Sequence, residues 1–295
     1  DTVCAGNNND TLNLNGQRGS IISWQLSTDG GNSWLPLSNP ASSFIYNNLN
    51  QTTWYRTEIK NGVCPSVYSD TVTIFVNASS LAGMVSSATP VCELYNSGSV
   101  SISGNIGSVT SWISSTDGGA TWMPITNTST TNSFINITDT TWYAAIVQNG
   151  TCVADTSLSS VVIVYPKPVT SFTTTNVCDN STMSFVNTTT LSSGFVQLYN
   201  WNFGDGNTSI NLSPVHLYAD TGNYTVNLVG ISNFGCTDTF NLMVRVYPLP
   251  RINFITSGPK SFCFGDSVMI KNDSTINTTL LWSTGSTLDS ITVDS

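Results

Sequence analysis

Two stretches of this chain carry the same large and bridging residues at a fixed offset of 88, so the fold must contain one unit built twice. Cys4 maps to Cys92, Trp24 to Trp112, Trp34 to Trp122, Trp54 to Trp142 and Cys64 to Cys152. The words around them agree: Ser27-Thr28-Asp29-Gly30-Gly31 matches Ser115-Thr116-Asp117-Gly118-Gly119, and Asn61-Gly62 matches Asn149-Gly150. Within the unit, apolar and polar residues alternate from Ile21 to Leu26, and glycines then mark a tight hairpin. Thr53 to Ile59 and Asp70 to Val76 are β-branched and aromatic, and no helical period of useful length occurs. Short strands separated by turn words predict β-sandwiches.

At roughly 100 residues per sandwich, 295 residues predict about three domains. Tyr165-Pro166-Lys167-Pro168 and Tyr247-Pro248-Leu249-Pro250 read as joints that forbid ladder hydrogen bonds. The expected division is repeat 1 at 1–77, repeat 2 at 78–166, a different module at 167–248 and an incomplete one at 249–295. The fold class is all-β, with the sandwiches in tandem as an elongated, semi-rigid rod.

The first six of seven cysteines form neighbouring pairs 60, 60 and 58 residues apart. That regularity predicts one disulfide per domain, Cys4–Cys64, Cys92–Cys152 and Cys178–Cys236, and hence an oxidising, extracellular compartment. Buried free thiols are the alternative. No C-x-x-C spacing and a single histidine, His216, argue against zinc. Cys263 has no partner at the expected distance, so the stretch from residue 249 reads as part of something longer, completed by further domains of the same or an adjoining chain.

Charged residues make up only 8%, with 8 basic against 17 acidic. The basic residues are scattered, so the counterion-displacing stripe of a nucleic-acid binder is missing. No apolar run is long enough to span a membrane as a helix.

The run Trp201-Asn-Phe203-Gly204-Asp205-Gly206, then Pro214-Val-His216-Leu-Tyr218, then Gly222-Asn-Tyr224-Thr-Val226, resembles the signature of PKD domains. The resemblance implies a seven-stranded extracellular sandwich. Cys263-Phe-Gly-Asp-Ser-Val268 and Leu281-Trp282-Ser-Thr-Gly-Ser resemble parts of an Ig-like domain, with strands expected at Ile252–Thr256, Ser267–Asn272, Thr279–Ser283 and Ser290–Val293.

Candidate chemistry is sparse. Ser27-Thr-Asp29-Gly-Gly31-Asn-Ser-Trp34 and its repeat resemble the Asp-box of sialidase propellers, but blades repeat at about 40–50 residues. A structural hairpin with Trp34 and Trp122 folded over the turn is expected instead. Paired carboxylates in a cleft are not evident, the only glutamates being Glu58 and Glu93. A Ser-His-Asp triad would have to use His216, which falls on the PKD motif's own histidine. No catalytic residue and no cofactor are expected, with a Ca²⁺ contact at Asp205 as an alternative to turn capping. Asp-Ser/Thr-apolar words place candidate O-glycosylation at Thr11, Thr71, Ser267 and Ser290, against simple strand entry. Sequons at Asn136 and Asn223 are expected by chance in so Asn-rich a chain.

Taken together the modules resemble the very large repetitive surface proteins of Bacteroidetes, which include type IX-secreted adhesins and the SprB type of gliding-motility adhesin. The resemblance implies a surface-attached stalk or filament with a carbohydrate or other surface ligand. A non-catalytic stalk of a secreted polysaccharide-degrading enzyme and a polymerising filament subunit are the alternatives.

Overall fold

Alternation around Trp24 builds the strand Ser20–Ser27, whose Trp24 side chain is 3% exposed. The computed structural model describes residues 1–251, 253–258, 264, 267–273 and 279–294. Among them every regular element is a β-strand, as the alternating pattern requires. The chain divides into two compact units, Asp1–Pro166 and Lys167–Ser295.

The first unit holds both repeats. In repeat 1, Ser20–Ser27 pairs with Thr53–Lys60, which pairs with Val72–Asn77; the short strand Thr2–Cys4 then adds in parallel, Cys4 opposite Asn77. Asn9–Asn13 and Ser43–Asn47 form the facing ribbon. In repeat 2, Ser108–Ser115 pairs with Thr141–Gln148 in the same register, Ser115 opposite Trp142 as Ser27 is opposite Trp54. Each central strand carries a bulge at the same place, after Ile21 and after Val109. Repeat 2 adds the short strand Met84–Val85, paired with Ser97–Ser103, ahead of Val91–Cys92, its counterpart of Thr2–Cys4.

Trp24 and Trp112 are buried between the layers, and each satisfies its indole N–H on a backbone carbonyl 17 residues on, Ala41 at 3.0 Å and Ser129 at 2.8 Å. A buried indole needs that partner. Trp24 stacks on Phe44, while Trp112 packs among Val100, Val109, Phe134 and Val147.

In the second unit, Gly222–Ser232 and Thr237–Tyr247 make a long hairpin flanked by Val196–Asn202. Its core gathers Phe172, Met183, Phe185, Trp201, Phe203 and Tyr218. Further on, Phe254–Thr256, Ser267–Asn272 and Ser290–Asp294 form a three-stranded sheet. The strand expected at Thr279–Ser283 is not formed. Trp282 instead opens a turn, its N–H donating to Ser286 O at 2.9 Å, and its ring lies half-buried against Phe254. The Ser-Thr-Gly-Ser that follows Trp282 favours that turn over a ladder. Cys263, Asp266 and the start of the strand expected from Ile252 lie outside the described residues.

Candidate functional site

The cysteines do not pair as their spacing predicts. Cys4 of repeat 1 is bonded to Cys152 of repeat 2, with Cα atoms 4.9 Å apart. Cys64 and Cys178 are free and exposed. Cys92 and Cys236 are each disulfide-bonded. The within-domain pairs Cys4–Cys64, Cys92–Cys152 and Cys178–Cys236 are therefore corrected.

Strand geometry gives the reason. Cys4 lies beside the Thr53 end of Thr53–Lys60, because its partner Asn77 ends the strand that runs antiparallel to it. Cys64 lies past the Lys60 end, its N–H on Asn61 O. Eight extended residues separate the two ends by roughly 25 Å, whereas a disulfide needs Cα atoms within about 7 Å. The same holds in the second unit: Cys178 pairs with Tyr247 at one end of the long hairpin, and Cys236 sits at its turn.

Repeat 1, repeat 2 and the 167–248 module thus each have one cysteine on the short strand that pairs in parallel with the module's last strand, the first-strand end, and another at the opposite, hairpin end. In the first unit these ends meet. The hairpin Asn149-Gly150-Thr151-Cys152 docks on the chain leaving repeat 1: Asn149 Nδ2 donates to Ala78 O at 2.8 Å, and Asn149 N–H to Ser80 Oγ at 3.0 Å. Gly150 is at φ 55°, and a Cβ there would strike the Asn77 side chain. Asn8 holds the first-strand end, with Nδ2 donating to Cys4 O at 2.6 Å and Leu49 O at 2.8 Å. Asn96 does the same for Cys92 and Ile137. These asparagines escape a reading focused on Trp and Cys, yet they too sit 88 apart.

The two Asp turns are structural. Ser27 Oγ donates to Asp29 Oδ1 and accepts from Gly31 N–H, while Ser33 N–H closes on Asp29 Oδ1 at 2.9 Å. Ser115, Asp117, Gly119 and Thr121 repeat every bond. Trp34 and Trp122 lie over Gly31 and Gly119, as expected of turn covers. Hydrogen bonds from the Ser33 side chain and backbone lower the Asp29 pKa to about 2; those from Thr121 push Asp117 lower still.

Repeat 1 alone adds a cation layer. The Arg56 guanidinium lies 4.0 Å from the Trp34 ring and 3.8 Å from the Tyr68 ring. Ala144 stands in its place in repeat 2. Beside it a groove of about 390 Å³ is lined by Asn13, Asn15, Gln17, Tyr55, Arg56 and Asp70.

In the second unit His216 Nε2 and Asp205 Oδ2 are 2.7 Å apart, and the imidazole stacks on Phe203 at 4.2 Å. Burial pushes the Asp205 carboxyl up, but hydrogen bonds from Asn207 and His216 outweigh it and hold its pKa below the usual value. Asp205 also accepts from Asn207 N–H, a turn-capping bond. Glu58 is occupied by Ser66 Oγ. Thr11, Thr71 and Ser267 are exposed, and Ser290 is half-buried at the start of its strand. Among the described residues no cluster of three metal-ligating side chains forms, and no helix is long and apolar enough to cross a membrane.

These modules define an all-β protein of tandem β-sandwiches, the one at 167–248 carrying the PKD pattern. A family model described as "Domain of unknown function (DUF8696)" matches residues 1–78 and again 81–166, more than half of the chain, which therefore belongs to that family. A PKD domain model matches residues 165–246. Among solved structures, the PKD1 domain of the Vibrio cholerae metalloprotease PrtV is 30% identical over 28% of this chain and 98% of that one, with a TM-score of 0.26. The PKD1 domain of Vibrio anguillarum Epp is 29% identical over 28% and 95%, also at 0.26. The mouse nectin-like molecule 4 ectodomain is 15% identical over 85% and 98%, at 0.39. Comparison with curated proteins gave no match.

Proposed function

We propose that this chain is part of a secreted, cell-surface-attached adhesin of the Bacteroidetes type IX kind, similar to the SprB type, in which successive sandwiches act as stalk and adhesive surface. The observation that carries the reading is the Cys4–Cys152 bridge. It joins one module to the next and leaves each sandwich to fold on its own core, which suits a spacer under tension better than a catalytic domain. The bridge needs an oxidising compartment. The sparse charge suits a surface that meets glycans through hydrogen bonds, and the Trp34–Arg56–Tyr68 layer with its groove is the place for a carbohydrate.

Two measurements test this. Antibodies against residues 1–166 should label intact producing cells without lysis. Beads coated with the chain should hold polysaccharide-coated surfaces, and Arg56→Ala with Tyr68→Ala should weaken the hold several-fold. Label that emerges only after lysis defeats surface attachment. Retention unchanged by the double substitution defeats the groove as the adhesive face.

A further inference from the structure

Three first-strand cysteines occupy one geometry. Cys4 is opposite Asn77, Cys92 opposite Tyr165 and Cys178 opposite Tyr247, all in parallel pairs. The next residue closes each pair in the same way: Ala5 N–H bonds Asn77 O, Glu93 N–H bonds Tyr165 O and Asp179 N–H bonds Tyr247 O, at 2.8–2.9 Å. Cys4 and Cys92 are disulfide-bonded, and Cys178 is a free, exposed thiol.

The hairpin cysteines pair up likewise. Cys64 N–H bonds Asn61 O at 3.1 Å, Cys152 N–H bonds Asn149 O at 3.0 Å, and Gly62 and Gly150 share φ 55°. The two hairpins share this turn and differ in what covers them. Around Gly150 lies Asn77 of the preceding module, and Cys152 is 1% exposed. Around Gly62 there is open space, Cys64 is exposed and Val63 is fully exposed. Repeat 2 therefore displays, occupied, the joint that repeat 1 displays empty.

From this we infer that Cys64 and Cys178 are the two open halves of the same inter-module staple. Cys64 takes a first-strand cysteine of the Cys4 type, and Cys178 takes a hairpin cysteine of the Cys152 type. The partner is a module of this same kind, either in a second copy of the chain or in a further segment of a longer protein. In the isolated chain the two halves complement each other, so Cys178 of one copy bonds Cys64 of the next, head to tail. The inference rests on the stalk reading above, since it extends the staple that carries it.

The linkage forms by exchange with a small-molecule disulfide such as oxidised glutathione. The Cys64 thiolate attacks one glutathione sulfur and releases the first glutathione thiolate. The Cys178 thiolate of another copy then attacks the Cys64 sulfur and releases the second. Two protein thiols and one oxidised glutathione become one protein disulfide and two reduced glutathiones, so electrons and protons balance.

The test uses the whole chain carrying Cys263→Ser, which leaves Cys64 and Cys178 as its thiols. Incubation with oxidised glutathione should give a ladder of dimers, trimers and longer species that collapses on reduction. Added Cys64→Ser and Cys178→Ser should each stop the ladder, and the two variants mixed should give only the cross-linked pair. Peptide mapping of a mixture of ¹⁴N and ¹⁵N chains should find Cys64–Cys178 links of mixed label. Equal yields of Cys64–Cys64 and Cys178–Cys178 links would overturn the inference, as would two thiols that stop at the glutathione adduct. In protein from its native source, Cys64 bonded to Cys178 assigns a second copy, and Cys64 bonded to another first-strand cysteine assigns a further module. Cys64 found free there, or bonded to an Asn-Gly-x-Cys cysteine, overturns it. Surface labelling does not depend on these links, so the stalk reading and the staple can fail separately.

Discussion

Gly62 and Gly150 have the same φ of 55° at the same hairpin position, yet only Gly150 faces another module, through the Asn77 side chain. Alanine at either site carries the left-handed backbone penalty of roughly 1–2 kcal/mol. Gly150→Ala must also push Asn77 aside. Gly150→Ala should therefore destabilise the first unit by about 1 kcal/mol or more beyond Gly62→Ala, and Asn77→Ala should remove the difference. Thermal unfolding of Gly62→Ala and Gly150→Ala, each alone and combined with Asn77→Ala, checks it. Equal losses in both single glycine variants would mean that Gly150 is not packed at a joint.

The bridge should matter for extension as well as stability. Cys4 and Cys152 enclose a loop with a sequence separation of 148. In the chain-entropy model, closing it stabilises the first unit by roughly 5 kcal/mol, an upper figure. Cys4→Ser should lower the unfolding temperature of both repeats and leave Cys152 reactive to thiol reagents after opening. Pulled between residues 1 and 166, the oxidised chain should withhold about 500 Å of extension that reductant releases. An extension unchanged on reduction would mean that Cys4 and Cys152 are not bridged.

What was legible in the sequence was what local chemistry decides. Trp24 and Trp112 are core residues because alternation puts them on the inner face, and the Asp29 and Asp117 turns follow from Ser, Asp and Gly at fixed positions. The cysteine partners were not legible. A spacing of 60 recurs because the modules recur, and it carries no information on which ends of the sandwich the thiols occupy. Only the strand directions show that Cys4 and Cys64 are an entire strand apart. Asn8 and Asn96 were visible as repeats, but asparagine is so common here that their clamp on Cys4 and Cys92 had no signal of its own.

The two Asp turns should titrate in order. Both carboxylates have folded pKa values below their unfolded ones, so their contribution is full above the unfolded value near 3.8 and is lost as pH falls through the folded value. For Asp29 that window closes at about 2, and for Asp117 it extends lower. Carboxyl NMR should show Asp29 protonating first. Asp29→Asn and Asp117→Asn should each flatten the acid limb of stability, the second further into acid. Normal titration of both groups near 3.8 would remove the account of these turns as charge-assisted hydrogen-bond cages.

Ring packing and hydrogen bonding at His216 are separable in the second unit. His216 does two things there: its Nε2 meets Asp205 Oδ2, and its ring covers Phe203 with an interplanar angle of 4°. Phenylalanine keeps the second and loses the first. His216→Phe should cost about 1–2 kcal/mol, since Asp205 keeps its two bonds from Asn207 and stays ionised. It should also let the Asp205 pKa rise, because one of the hydrogen bonds holding it down is gone, so its acid-labile stability moves to higher pH. His216→Ala should cost more, by roughly 1 kcal/mol, because Phe203 and Tyr218 lose a ring neighbour as well. Tyr218→Phe provides the control: the Tyr218 hydroxyl donates to the buried Phe203 carbonyl at 3.0 Å, so its loss should cost about 1–3 kcal/mol while leaving the Asp205–His216 contact in place. Calorimetry of the whole chain, with hydrogen exchange read on the Gly222–Ser232 strand, measures all three. Equal costs for Phe and Ala at position 216 would assign the whole contribution to the Asp205 bond and none to the stack.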